Sequence, residues 1–94
     1  MYRLFAILLF AVLAAAPAHA ECYADYKAKQ DDPLRLHYGV ADVGDDNCDK
    51  PGAKAVLTDR LASEGWTLLN VLSIFGPEGL EERKASAGEY FLRF

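Results

Sequence analysis

The chain has 94 residues and is acidic, with ten Lys and Arg against fourteen Asp and Glu and a net charge of −4. That length fits one domain. The charge balance argues against nucleic acid, whose phosphates need a basic patch, and against attraction to anionic lipid.

Residues 1–20 read as an address rather than as part of the fold. Arg3 supplies a positive start, Leu4 to Ala16 is an unbroken apolar run, and Ala18-His19-Ala20 presents small residues at the positions a signal peptidase reads. This is the pattern of a cleaved secretory signal; the apolar run is shorter than the roughly 20 residues of a spanning helix. Cleavage after Ala20 predicts a single domain over residues 21–94, with a net charge of −5 and His37 as its one histidine. The expected location is the periplasm or the extracellular medium, with no stable membrane insertion once the signal is gone. A domain of this size is marginal without a staple. Cys22 and Cys48, the two cysteines of the chain, provide one, because export to an oxidising compartment favours their pairing. In the chain-entropy picture, closing a loop of about 27 residues contributes roughly 3 to 4 kcal/mol.

In the exported part, Tyr23 and Tyr26 sit three apart among charges, a spacing that suits a short helix over Glu21–Gln30. Asp31-Asp32-Pro33 ends it. Leu34 to Val43 then alternates, with Leu34, Leu36, Tyr38 and Val40 on one face and Arg35, His37, Gly39 and Ala41 on the other, as in a half-buried strand. Gly44 to Asp49 is a polar loop. Pro51 opens a helix to about Glu64, with Ala53, Val56, Leu57 and Leu61 as its buried stripe. Gly65 suits the left-handed position after the last turn, and Trp66 the hydrophobic contact back onto it. Trp66 to Phe75 is apolar on both faces, which predicts a central, doubly covered strand. Gly76 to Gly79 breaks it. Leu80 to Ala87 holds a turn of helix, and Gly88 releases a last strand, Glu89 to Phe94.

This order predicts an α+β domain: a small three-stranded sheet packed by one main helix, with a short N-terminal helix. The helix between the first two strands suggests a crossover between parallel neighbours, and the last two strands are expected to be antiparallel.

The helix ending in Glu64-Gly65-Trp66, the strand Thr67-Leu68-Leu69-Asn70-Val71 and the closing Glu89-Tyr90-Phe91-Leu92-Arg93-Phe94 resemble a family of small bacterial domains of unknown function, built as strand, helix, Gly-Trp strand, strand. Leu34 to Val43 takes the place of that family's first strand. The resemblance implies a fold and carries over no catalytic residue. On that resemblance the chain is expected to be an exported, disulfide-containing form of such a domain.

The residue patterns that could carry chemistry are few. Asp45, Asn47 and Asp49 open like a calcium loop, but Lys50 stands where glycine is needed and Val56 where the bidentate glutamate belongs, so the segment reads as a solvated turn. Two thiols and one distant histidine are too few for a metal site, and no cofactor motif is present. His37 lacks a partner set for catalysis. It could share a small ligand patch with Arg35 and Arg93 if the first and last strands are neighbours. Tyr90-x-Leu92-x-Phe94 is similar to the last strand of outer-membrane barrels, but the chain has too few strands for a barrel. These observations favour a non-enzymatic module that binds another exported protein, or a second copy, through a sheet face or edge. The alternative is a small-ligand or enzymatic role at His37 and its arginines.

Overall fold

Residues Tyr23–Gln30, expected as a short helix, are a strand, β1, and it is the central one. The computed structural model describes residues 21–94; the expected signal, residues 1–20, lies outside the described residues. The reason for the strand is a second periodicity within the segment. Ala24, Tyr26 and Ala28 alternate and are fully buried on one face, while Tyr23 and Asp25 are buried on the other; a central strand, whose residues alternate between two covered faces, satisfies this pattern. β1 pairs antiparallel with β2 (Arg35–Asp42), in register from Tyr23↔Asp42 to Gln30↔Arg35. On its other side it pairs antiparallel with β3 (Thr67–Phe75), so the sheet order is β2-β1-β3.

The α+β class and the three-stranded sheet stand, with a different membership. Glu89 to Phe94, expected as the last strand, instead makes a 3-10 turn over Gly88–Tyr90 and then touches the sheet once, where Phe91 bridges Val40 in parallel. The Leu92 N–H donates to the Val40 carbonyl at 2.8 Å. Leu92 has a φ of 57°, and a left-handed residue ends an extended run.

The helix α1, Lys50–Ala62, connects β2 to β3. The two strands run parallel to each other, as a crossover helix suggests, but they are not neighbours because β1 lies between them. The ends of α1 follow the sequence closely. The Asp49 side chain accepts from the Gly52 N–H at 2.6 Å, and Pro51 occupies the first turn, where its missing N–H costs nothing. At the other end Gly65 has a φ of 81°, and the Trp66 N–H returns to the Leu61 carbonyl at 2.9 Å, satisfying a carbonyl that the helix leaves open. Ala53, Leu57 and Leu61 are buried against Ala24, Tyr26, Ala28, Ala41 and Trp66; Val56 is half-buried.

β3 is an edge strand, not the central, doubly covered one that its composition predicts. Its apolar faces have another origin. The pairs Ala24↔Ile74, Tyr26↔Val71 and Ala28↔Leu68 place Ile74, Val71 and Leu68 toward α1, at a spacing of three rather than two. Two register shifts against β1 each insert one extra residue, Leu72 after Val71 and Leu69 after Leu68. A bulge of this kind resets the alternation and adds twist.

β2 is half-buried as expected, but its leucines are not the buried residues; on their face Val40 is fully buried and Tyr38 half-buried. Leu34 and Leu36 are 65% and 67% exposed, while His37, Gly39 and Ala41 are buried. Gly39 faces Tyr26, and a Cβ there would collide with the Tyr26 ring and hydroxyl. The absent side chain lets the phenol lie flat across β2. The opposite sheet face is partly covered by a second helix, α2 (Leu80–Ala87), which lies along β2 and puts Arg83 over the Phe75 ring at 3.9 Å.

Candidate functional site

Cys22 and Cys48 form the expected disulfide, with Cα atoms 5.5 Å apart. It ties the start of β1 to the loop before α1, where the Val43 N–H also donates to the Cys22 carbonyl. The acidic loop is a turn: Asp45–Asn47 is a 3-10 segment, Asn47 donates to the Val43 carbonyl, and Asp49 caps α1.

The structure brings Arg35, His37 and Arg93 to one place, around an aromatic cluster. The His37 ring stacks on Tyr90 at 3.8 Å between centroids, meets Trp66 edge-on at 4.3 Å and lies 5.7 Å from Phe94. The Arg35 guanidinium stands 5.8 Å from the Trp66 ring, and that of Arg93 stands 5.6 Å from both Tyr90 and Phe94. The reason is local. β2 carries Arg35 and His37 at alternate positions, and the C-terminal segment turns around the β2 edge to lay Tyr90 and Phe94 on the same face.

The charge of that cluster comes from its arginines and not from its histidine. His37 is 7% exposed. Burial, reinforced by the Arg93 charge, pushes its pKa down to about 4, against a small opposing pull from Glu89. The imidazole is therefore neutral at neutral pH, and the positive charge belongs to Arg35 and Arg93 alone. One ring nitrogen, Nε2, is hydrogen-bonded to the Tyr26 hydroxyl at 2.9 Å; the other, Nδ1, is buried without a partner. A general base must reach the proton it removes, and four aromatic rings, those of Tyr26, Trp66, Tyr90 and Phe94, pack around the imidazole. The residue acts as a packed aromatic with one satisfied nitrogen.

Sequence reasoning missed a second buried polar group on the opposite face. Asp25 is 6% exposed. Its carboxylate accepts from Ser73 Oγ at 2.6 Å, from the Tyr38 hydroxyl at 2.8 Å and from Arg83 Nε at 3.1 Å. Burial alone pushes this carboxyl up, but the hydrogen bonds from Ser73, Tyr38 and Arg83, with the Arg83 charge, outweigh it and hold the pKa below the ordinary carboxylate value. The four residues come from three strands and α2, so the network locks α2 to the sheet. No spacing in the chain announces it, since its partners lie 13, 48 and 58 residues from Asp25.

No protein family, characterised protein or solved structure matches the chain.

The third feature is where the second face is left bare. α2 and Phe75 cover the end of the sheet near Asp25. At the other end Leu36 is 67% and Leu69 48% exposed, on either side of an open hollow of about 250 Å³ lined by Lys27, Ala28, Leu36, His37, Tyr38 and Leu69. Arg35 and Arg93 do not line it. Among the described residues no helix is long and apolar enough to cross a membrane.

Proposed function

We propose that this domain is an exported, non-enzymatic binding module that docks on another protein, or on a second copy, through the uncovered end of its sheet. The observation that carries the reading is the exposure of Leu36 and Leu69 together around one hollow. A contiguous apolar surface on a small acidic protein has a solubility cost and marks an interaction site. Export is supported by the disulfide, which persists in an oxidising compartment, and by the three-part pattern of residues 1–20. The resemblance to small bacterial domains of unknown function agrees with a module that lacks catalytic residues.

Site-specific photocrosslinking in the exporting cell tests the proposal. A benzoylphenylalanine at Leu36 or Leu69 yields a discrete adduct, while the same residue at Ser86, exposed on α2, yields none. An adduct of twice the protein's mass identifies a second copy. Absence of adducts at both leucines, with the photoreactive residue fully incorporated there, overturns the reading.

A further inference from the structure

The bare surface does not stop at the sheet face. A second hollow, of about 380 Å³, lies between α1 and the open edge of β3 and is lined by Lys50, Pro51, Lys54, Leu69, Asn70 and Val71. Leu69 borders both hollows. It is also the extra residue of a β3 bulge, and that bulge sets its side chain on the rim between the face and the edge. The two hollows thus form one surface around Leu69, with Leu36, Tyr38 and Val71 as apolar floor.

Its charges all have one sign. Lys27 stands in the first hollow, Lys50 and Lys54 in the second, and no acidic side chain lines either. None of the three lysines makes an ion pair among the described residues, whereas Lys29 pairs with Asp31 and Arg83 with Asp25 and Glu82. On a domain with a net charge of −5 over residues 21–94, a third of the basic residues are gathered here.

We infer that this surface binds an acidic, leucine-rich or aromatic segment of a partner protein. Apolar side chains of the segment fill the two hollows on either side of Leu69, and carboxylates meet Lys27, Lys50 and Lys54. The inference rests on the binding role proposed above and chooses between its two partners. Symmetric pairing of two copies places the same patch against itself, and that would set three lysines against three lysines with no carboxylate between them. Like charges facing each other across a contact are destabilising. Charge complementarity therefore favours a different, acidic chain.

Three synthetic peptides of one length test this, titrated into the isotope-labelled 21–94 disulfide form of the protein: alternating Glu-Leu, alternating Lys-Leu and alternating Glu-Ser. The expected result is that Glu-Leu alone shifts the amide resonances of Lys27, Leu69, Asn70, Lys50 and Lys54. Binding should weaken at least tenfold in a Lys27→Glu/Lys54→Glu variant, which changes exposed side chains and keeps the fold. It should also weaken as salt is raised. Equal binding of Glu-Leu and Lys-Leu overturns the charge selection while leaving the apolar docking surface in place. No shift with any peptide overturns the inference, and the crosslinking at Leu36 and Leu69 then decides independently whether the binding role survives. Vesicles of phosphatidylglycerol that shift the same amides more strongly than Glu-Leu does overturn it in favour of an anionic lipid surface. A dimer at micromolar concentration that Leu69→Asp dissociates overturns it in favour of a second copy.

Discussion

Asp25 and His37 are both buried polar side chains, set on opposite faces of the same sheet and only one strand apart. Asp25 has three donors around its carboxylate, one of them charged. His37 has one partner for two nitrogens and aromatic rings for the rest. A charged group survives burial when donors gather around it, whereas a group that can become neutral survives by giving up its charge. The same chain uses both solutions, and each leaves its own sensitivity.

Removing the satisfied group should cost the most. Asp25→Ala leaves the Arg83 guanidinium and two hydroxyls without their acceptor, and a loss of about 3 to 5 kcal/mol is expected from breaking a buried pair, read from urea unfolding. A loss below about 1 kcal/mol, as for exposed pairs, would show that water replaces the carboxylate and that the contrast with His37 is empty.

Acidification separates the two groups by pH window. The His37 pKa is lowered from 6.5 to about 4, so between these values the unfolded chain takes up a proton that the folded one refuses. Stability contributed by the neutral ring is whole above pH 6.5 and falls as the pH drops toward 4, by roughly 1 to 3 kcal/mol. Asp25 has a lowered pKa as well, but as an acid; its contribution is whole above the ordinary carboxylate value and disappears only as the pH falls below that, through its folded pKa. His37→Phe should abolish the first loss and keep the second. If thermal melts of His37→Phe keep the loss between pH 6.5 and 4, another group carries it.

A smaller effect tests the half-satisfied pair. His37→Phe alone leaves the Tyr26 hydroxyl buried without a partner, at about 1 to 3 kcal/mol, partly offset by removal of the orphaned Nδ1. Tyr26→Phe added to it should restore most of that loss, since replacing both partners by apolar groups of similar shape is close to neutral. Additive losses in the double variant would mean that the hydrogen bond contributes no coupling. Smallest of all, Arg93→Ala should raise the His37 pKa only modestly, because burial is the larger cause and the guanidinium the lesser; an imidazole titration by NMR reads it directly.

Most of the helical structure was legible, because its determinants are local. The Asp49 cap, Pro51, the Ala53–Leu57–Leu61 stripe and the Gly65-Trp66 ending all lie within one or two turns of the residues they serve. β1 was misread because two periodicities coexist in it. Tyr23 and Tyr26 at three suggest a helix, and the decisive pattern, Ala24-Tyr26-Ala28 at two, is carried by alanines, which have weak strand preference. The leucine face of β2 misled for a related reason: Leu34 and Leu36 are the expected anchors, yet the interior is built by Gly39 making room for Tyr26. At the candidate surface, the apolar excess of β3 was visible, and so was the interaction that it suggests. The lysines beside it were not, since Lys27 comes from the central strand and Lys50 and Lys54 from α1, and only the folded sheet puts them around Leu69.

The two register shifts in β3 make the strand tolerant of a change that strands rarely accept. Deleting one residue from a regular strand turns every later side chain to the wrong face. Here Asp25 faces Ser73 and Tyr26 faces Val71 with Leu72 left over between them. Loss of Leu72 would close the ladder while Leu68, Val71 and Ile74 kept their places against α1. The same holds at Leu69, but there the deletion would erase the rim between the two hollows. The strand therefore contains one residue that shortening can remove with its architecture intact, and another whose removal would spare the fold and abolish the surface.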